Sequence, residues 1–374
     1  MAWREYADYT ESVDDVRTAL QEAFQNTNYL RDAIRENPVH NPSFDIWQRG
    51  TSFASGASQF TTDRFKFRRG SNDAGATCSR QSGLLLPTPT PYACRVQRDS
   101  LNALTTTLYH GQQIESVDAE QFAGKSVYVI VEAAAGANFS ETDGELTCML
   151  YTGTGVDEVV SESAGFATGN STFTSAKAIS TTPTAIAFGP FAIPANATEI
   201  AWFLNYDPTS SAGAADYFDY GNSRIVTEAA LAFVKRPNPL EWEICRRFYE
   251  NIPGANSGLS AAQVSAVAGY RVGTTYIFFD GVFRTPKRTK PSLTKSIGSF
   301  SSGAEPATNN IGATTSSGSW LTRTGVLSVT DHAATGRDSW LFYLTATTFG
   351  GSAGDRCDLY LGPSALIGYS AEIE

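Results

Sequence analysis

A short segment between residues 206 and 220 combines aromatic and acidic side chains that could recognise a sugar. Its members are Tyr206, Asp207, Asp216, Tyr217, Phe218, Asp219 and Tyr220. Aromatic rings pack on apolar ligand faces, and carboxylates accept hydrogen bonds from hydroxyl groups. We therefore predict that Tyr206, Asp216, Tyr217 and Tyr220 bind a glycan. The alternative is a tyrosine-rich turn that leads into the last core strand of its domain.

The three histidines offer no catalytic or metal-binding pattern. His40, His110 and His332 lie far apart in the sequence, and no nucleophile motif or metal-ligand spacing surrounds them. Gly153-Thr-Gly155 is too short for a dinucleotide fingerprint. The two carboxylates that hydrolyse a glycosidic bond can come from distant strands, so a glycosidase function stays an alternative. We expect no catalytic residue, no metal and no cofactor.

Composition indicates a globular, β-rich protein with an acidic surface. The chain has 374 residues, of which 41% are hydrophobic, 12% aromatic and 18% charged. Its 28 Lys and Arg against 38 Asp and Glu give a net charge of −10, which argues against a nucleic-acid partner. A basic run at 284–295 is interrupted by prolines, and we interpret it as a solvated loop or sheet edge. No apolar run is long enough to insert into a membrane.

Five cysteines are spread widely along the chain. They are Cys78, Cys94, Cys148, Cys245 and Cys357. Their number is odd, and no Cys-x-x-Cys spacing of a zinc site is present. We interpret them as reduced, buried, small hydrophobic residues.

The first 37 residues carry the pattern of a self-associating helix. Apolar positions separated alternately by three and four residues form the seam of a coiled coil. The seam consists of Val13, Val16, Leu20, Ala23, Thr27, Leu30 and Ile34. Asn37-Pro38 ends the helix, because proline disfavours helix in the residue before it. The alternative is that this stripe packs on its own domain.

Residues 38–236 are predicted to form one antiparallel β-sandwich or jelly roll. Short apolar and alternating runs are separated by Gly-, Pro- and Asn-rich turns. The strands are predicted at 60–67, 93–96, 126–133, 145–151, 186–191, 199–206 and 224–234. In the last of these, alternate residues from Ile225 to Phe233 are expected to share one face.

A connector helix and a second β domain are predicted to follow. Residues 237–254 begin with Asn238 as helix cap and Pro239 in the first turn. In residues 255–374, strands are predicted at 275–283, 325–330, 339–348, 357–361 and 365–374, with a polar loop at 301–318. Loops on a rigid β scaffold often carry binding function, and Trp320 and Trp340 are further glycan-binding candidates here.

Four motifs resemble structural proteins of tailed bacteriophages. The segment Asn41-Pro-Ser-Phe-Asp-Ile-Trp-Gln-Arg-Gly-Thr51 is similar to the opening of a jelly-roll domain in that family. The other matches, in the family's order, are Phe60-Thr-Thr-Asp-Arg-Phe65, Gln113-Ile-Glu115 with Phe122-Ala-Gly-Lys-Ser-Val127, and Arg236-Pro with Glu241-Trp-Glu-Ile-Cys-Arg-Arg-Phe-Tyr249. Together they cover residues 41–250, and the C-terminal region is a looser match.

The resemblance implies a homotrimeric fibre subunit in a virion, with a carbohydrate-binding-module-like jelly roll that attaches to a host-surface glycan or receptor. It would be made in the host cytoplasm, since residues 1–10 do not form a signal peptide. Trp3, Tyr6 and Tyr9 would then anchor the chain to other virion proteins. Two alternatives are a capsid- or connector-attached head fibre and a tailspike-like glycan depolymerase.

The resemblance also bears on individual residues. Related modules hold a structural calcium near the first motif and the last strands, which raises the question of Asp45 or Asp219 as ligands. The signature residues of this family mostly reflect the fold. We therefore expect Asn41, Phe44, Trp47, Arg49, Asp63 and Arg64 to have structural roles.

The seam makes a prediction about assembly. The full chain is expected to sediment as a trimer in analytical ultracentrifugation. A chain that lacks residues 1–37 should keep folded β domains, seen by circular dichroism, but assemble poorly, because the seam is gone. Unchanged assembly of the truncated chain would place the interface in the β body instead.

Overall fold

The computed structural model describes residues 37–82, 86–230, 232–251, 265–272, 275–296, 311–315, 321–324, 328–333, 335–349, 356–361 and 366–373. The predicted coiled-coil seam, the aromatic positions Trp3, Tyr6 and Tyr9, and Trp320 lie outside these residues. Asn37 already belongs to the β body, because its side chain accepts hydrogen bonds from the backbone of Val39 and Ile225. A truncation that separates the two parts therefore ends at residue 36.

Twelve strands between residues 52 and 226 build a sandwich of two antiparallel sheets. They are β1 Ser52–Ala54, β2 Gln59–Phe60, β3 Lys66–Arg69, β4 Ala76–Ser82, β5 Tyr92–Arg98, β6 Leu108–Ile114, β7 Ser126–Ala135, β8 Glu145–Gly153, β9 Ser171–Ala178, β10 Thr184–Ala192, β11 Glu199–Tyr206 and β12 Tyr217–Val226. Sheet 1 has the order β1-β4-β5-β12-β7-β10, and sheet 2 has the order β2-β3-β6-β11-β8-β9. This two-sheet arrangement agrees with the predicted β-sandwich.

The core of the sandwich lies between the two sheets. Alternate residues of each strand point inward, as Leu146, Cys148 and Leu150 do on β8, and all three are buried. Trp202 on β11 is the largest fully buried side chain of this core. Strand β11 is buried on both of its faces, so another segment of the chain also covers the outer face of sheet 2.

Two strand predictions are wrong in their bounds. Residues 60–67 form two strands rather than one, because Arg64 adopts a left-handed φ of 74° in the turn between β2 and β3. The last strand is Tyr217–Val226 rather than 224–234, since Phe218 and Tyr220 point into the core. The presumed tyrosine-rich turn is therefore part of strand β12.

Two α-helices are present in the described residues. Helix α1 is Ser116–Ala119, and helix α2 is Asn238–Arg246. Helix α2 starts one residue earlier than predicted and has no side-chain cap. It is also shorter than the predicted connector, because strand β13, Tyr249–Asn251, pairs with the last strand of the chain. Single 3₁₀ turns lie at Gly70–Asn72, Glu120–Phe122 and Thr142–Gly144. Within the described residues, no helix combines the length and apolar character that crossing a membrane requires.

The C-terminal β body consists of three further sheets. Its strands after β13 are β14 Ser265–Val272, β15 Tyr276–Val282, β16 Ser292–Ser296, β17 Ile311–Thr315, β18 Arg323–Thr324, β19 Ser328–Asp331, β20 Ser339–Thr345, β21 Thr348–Phe349, β22 Arg356–Leu361 and β23 Leu366–Ser370. Their orders are β13-β23-β16, β17-β22-β14-β15-β20-β19 and β18-β21. Strand β17 lies in the region predicted as the loop 301–318, so part of that loop is a strand.

Buried ion pairs join the sandwich to the C-terminal body. Arg64 pairs with Glu372, and Arg49 approaches the same carboxylate at 3.1 Å. The Arg64 guanidinium also lies 3.7 Å from the ring centroid of Phe248 and donates to the backbone oxygen of Gln113 at 3.0 Å. The side chain of Glu372 is fully buried, so both cations are needed to offset its desolvation.

The basic run also contributes to this interface, contrary to its prediction as a solvated loop. Lys287 is fully buried and pairs with Glu250 at 2.8 Å. Arg288 bridges back to Glu115 at 2.9 Å and also pairs with Asp157. Both acidic partners of Arg288 belong to the sandwich, so the run connects the two bodies.

Removing the shared carboxylate should destabilise the chain strongly. Glu372→Ala would leave Arg64 and Arg49 buried without their partner, and we expect a loss of about 3–5 kcal/mol in the free energy of unfolding. The measurement is denaturant unfolding of the full chain.

Glu243→Ala is the matched control for this variant. Glu243 pairs with Arg246 at 3.1 Å, but its side chain is 53% exposed. We expect a loss of about 0–1 kcal/mol for this exposed pair. Similar losses in the free energy of unfolding for both variants would contradict the larger contribution to stability that we expect from the buried ion pair.

Candidate functional site

The structure places two of the predicted glycan-binding residues inside the sandwich. Tyr206 and Asp216 are fully buried. The Tyr206 hydroxyl donates to Asp216, whose carboxylate also pairs with the fully buried Arg98 at 2.8 Å. Burial and the bond to Asp216 both raise the pKa of Tyr206. These contacts make the pair part of the packing and leave no surface for a ligand.

Tyr220 and Trp340 are buried as well. The Tyr220 hydroxyl lies 2.5 Å from Nδ1 of His110 in the core. Trp340 stacks on Phe342, with ring centroids 5.7 Å apart, in the C-terminal body. Neither side chain presents a ring face to solvent.

Tyr217 is the one described candidate that stays partly exposed. It lies on the outer face of sheet 1, where the Arg95 guanidinium is 3.6 Å from its ring centroid. Arg95 also makes two 2.8 Å bonds to Asp219. Burial raises the pKa of Asp219, and the Arg95 bonds oppose that rise. Tyr217 therefore has a cation on its ring and remains accessible in part.

The signature residues hold a turn at the start of the sandwich. Asn41 has a left-handed φ of 53°, and its side chain bonds the backbone of Ile46 in both directions, at 2.8 and 3.0 Å. The indole nitrogen of Trp47 donates to the oxygen of Phe44 at 2.5 Å. Asp63 accepts from the backbone of Gln48 at 2.9 Å, and burial raises its pKa to about 6 against the opposing effects of Arg49 and Gln48. These contacts agree with the structural roles expected for the motif.

The outer face of sheet 2 carries a row of residues that sequence reasoning missed. Five side chains from five strands lie directly opposite one another across the ladder. The row, which we call the open row, consists of Arg68, Tyr109, Asn205, Thr147 and Ala176. With a strand spacing of about 4.8 Å, it extends over roughly 19 Å. Only strand register brings these five positions together, so no local motif could reveal them.

A loop covers the rest of this face. Residues 154–170, the covering loop, place Val160 and Phe166 against Ala201 and Phe203 of β11. Gln113 fixes the loop, because its side chain donates to the oxygen of Glu158 at 2.5 Å and accepts from the backbone of Val160 at 3.1 Å. The covering loop explains why β11 is buried on both faces, and it borders the open row, because Tyr109 of the row packs against the apolar cluster of the loop.

Two polar side chains flank the partly exposed Tyr109 in the open row: Arg68, which is partly exposed, and Asn205, which is buried. Arg68 lies 3.6 Å from Glu162 of the covering loop, and 25% of its side chain is exposed. Asn205 donates to the sulfur of Met149 at 2.6 Å, and its Oδ1 has no hydrogen-bond partner within the described residues. A partly exposed aromatic ring beside a partly exposed guanidinium can stack on a sugar and bond its hydroxyls.

Two groups of side chains have the composition of metal sites. His40, Glu115 and Asp118 come together beside a cavity of about 250 Å³ at helix α2. Burial and then Arg64, Arg236 and Arg247 lower the pKa of His40, and the same guanidinium charges disfavour a bound cation. Asp45 pairs with Lys235 at 2.7 Å and belongs to neither of the two groups found in the described residues. The second group is Cys78, Cys94 and His110.

No family model and no curated protein matches this chain. Several solved structures are similar at low identity. The xylan-binding domain from CBM 22 is 12% identical, covers 53% of this chain and 98% of its own, and gives a TM-score of 0.30. TmCBM61, solved in complex with β-1,4-galactotriose, is 11% identical over 51% of this chain and 99% of its own, with a TM-score of 0.26.

The tandem CBM22-1-CBM22-2 domain of Paenibacillus barcinonensis Xyn10C is 10% identical over 88% of this chain and 99% of its own, with a TM-score of 0.26. The similar structures named here are carbohydrate-binding modules. At these scores the similarity carries no argument about the ligand.

The buried position of Asp216 can be tested through stability. Asp216→Ala would leave Arg98 buried without its charge partner, so we expect a loss of about 3–5 kcal/mol in the free energy of unfolding. Denaturant unfolding measures it. Asp207→Ala, at an exposed position nearby, should change stability by less than about 0.5 kcal/mol. Equal effects would place Asp216 at the surface.

Proposed function

We propose that this chain is a non-catalytic, glycan-binding subunit of a homotrimeric fibre in a tailed-bacteriophage virion. The observation that carries the binding part of the proposal is the open row. It offers a partly exposed tyrosine between a guanidinium and an amide, on a rigid sheet, at the edge of the covering loop. The phage and trimer parts rest on the sequence motifs.

The shape of the open row favours an extended, hydroxylated ligand. Its five side chains lie in a line across five strands, and the strand spacing makes the line roughly 19 Å long. One aromatic ring with polar neighbours on both sides suits a chain of sugars better than a compact charged metabolite. Thr107 and Asp207 extend the polar surface at the ends of β6 and β11, where the Thr107 hydroxyl donates to Asp207.

Rigidity between the two β bodies supports a role as a fibre arm. The motif residues Arg49 and Arg64 pair with Glu372 near the other end of the chain. A rigid arm keeps its binding face at a fixed distance from the stem. Three such faces on one trimer would raise the effective affinity through multivalency, even if each site binds weakly.

Within this proposal, residues 1–37 set the copy number and attach the fibre. The seam would assemble three chains, and Trp3, Tyr6 and Tyr9 would contact the rest of the virion. A head-attached fibre would use the same fold with a different anchor. Labelling intact particles with an antibody against the C-terminal body, followed by electron microscopy, distinguishes a tail from a head position. The absence of label from particles would remove the virion assignment.

Glycan binding should depend on the open row. We expect Tyr109→Ala to weaken binding to a host-surface polysaccharide by at least about tenfold, because it removes the ring that stacks on the sugar. The measurement is isothermal titration or a glycan array with the full chain. Tyr217→Ala is the matched control, since it also removes a partly exposed tyrosine next to an arginine, on the opposite sheet.

Each outcome of this comparison is informative. Loss of binding in Tyr217→Ala alone would move the site to sheet 1. Equal binding by both variants and the wild type would exclude both faces. Release of reducing sugars from the polysaccharide by the wild-type chain would favour the depolymerase instead.

A further inference from the structure

We propose that Cys78, Cys94 and His110 form a buried thiolate–imidazole site for a zinc ion that ties the two sheets of the sandwich together. The proposal concerns the interior of the protein and is independent of the glycan-binding face. All three side chains are fully buried in the core.

Strand register brings the three ligands to one point. Cys78 on β4 and Cys94 on β5 point inward from neighbouring strands of sheet 1, offset by two residues. His110 on β6 points inward from sheet 2, with Nε2 3.5 Å from Cys78 Sγ, while Cys94 Sγ lies 4.0 Å from Nε2 and 3.9 Å from Nδ1. The site therefore takes ligands from both layers of the sandwich.

The distances among the three ligand atoms fit a metal ion. The sulfurs are 3.3 Å apart, and Nε2 lies 3.5 Å from Cys78 Sγ and 4.0 Å from Cys94 Sγ. The circumradius of a triangle with these sides is about 2.1 Å, close to the zinc–nitrogen distance of about 2.0–2.1 Å and the zinc–sulfur distance of about 2.3 Å. A small outward movement of the sulfurs completes the fit without any change of strand register.

Neighbouring groups orient the histidine as a ligand. Nδ1 lies 2.5 Å from the Tyr220 hydroxyl, so an N–H at this position can donate to Tyr220 and leave the lone pair of Nε2 free. Metal-binding histidines commonly use such a partner on the second nitrogen. The Thr61 hydroxyl lies 3.1 Å from Nε2, within hydrogen-bond distance, so a metal at Nε2 would replace this bond and have the Thr61 oxygen beside it for a fourth position. The ring of Phe65 stacks on the imidazole, with centroids 5.5 Å apart, and restricts its rotation.

Charge balance favours zinc in this environment. On binding, both thiols lose their protons to solvent, and two thiolates neutralise the charge of Zn²⁺. The resulting neutral centre can be buried in an apolar core at low electrostatic cost, whereas an isolated charge cannot. Soft sulfur ligands also select zinc over magnesium or calcium.

A disulfide between the cysteines is the main competing state. Cys78 faces Val96 in the ladder, and Cys94 faces Arg80, so the cysteines occupy diagonal positions. Diagonal neighbours are separated by about 7–8 Å between Cα atoms, whereas disulfides usually need at most about 6.8 Å. Register therefore favours two thiols around a metal over a bond between them.

The experiment measures zinc in the full-length chain. The protein is produced with zinc in the medium, dialysed extensively and analysed by inductively coupled plasma mass spectrometry. We expect about one zinc per chain in the wild type and at least a tenfold lower content in Cys78→Ser and His110→Gln. Cys148→Ala is the matched control, because Cys148 is equally buried in the same core but lies outside the three-residue group. It should retain its zinc.

A second measurement does not depend on the folding of any variant. Wild-type chain refolded with Co²⁺ should show sulfur-to-cobalt charge-transfer bands in the near ultraviolet and tetrahedral bands in the visible region. The proposal is overturned if the wild type refolded with zinc or cobalt stays metal-free. It is also overturned if peptide mapping finds a Cys78–Cys94 disulfide, or if folded Cys78→Ser keeps its zinc.

Discussion

The buried carboxylate of Glu372 is the contact on which the arrangement of the two β bodies depends. It meets two guanidinium groups, from Arg49 and Arg64, that leave the first turns of the sandwich. A charge in this position is costly unless all of its partners are present. The first and last segments of the described chain are therefore coupled, and neither body can tilt freely without exposing or abandoning an ion pair.

The need to pair buried polar and charged groups also explains the contacts of the signature motifs. The left-handed turn at Asn41 fixes the backbone, Asp63 holds Gln48, and Gln48 donates to the oxygen of Tyr249 at 2.9 Å. Arg64 follows Asp63 directly and rests on Phe248. The motif residues thus hold the sandwich and the C-terminal body together, in agreement with the structural roles expected for them. The face that we propose for glycan binding consists of other residues, which belong to no motif.

Sequence periodicity predicts the bounds of several elements well, and it fails where contacts between distant residues determine those bounds. Strand 199–206 was predicted with the bounds of β11, because both of its faces are apolar or aromatic. The bounds of β12 are missed because Asp219, Gly221 and Asn222 are residue types typical of turns, although Phe218 directly before them is buried in the core. Predicting the open row requires knowing which strands pair, because residues as distant in the sequence as Arg68 and Asn205 are neighbours only in the sheet. The sequence alone does not contain this strand pairing. Lys287 was expected in solvent because its acidic partner lies 37 residues away in the sequence.

The covering loop has a consequence for how such a scaffold can diversify. It connects β8 and β9, and its apolar residues Val160 and Phe166 pack on the outer face of sheet 2 at β11. Lengthening or shortening it would change the width of the accessible face while the sandwich core stays the same. Arg288 of the C-terminal body pairs with Asp157 in this loop, and Gln113 bonds Glu158 and Val160, so such changes are limited where these contacts are made. The width of this face can therefore change through a single segment while the architecture that carries it is preserved.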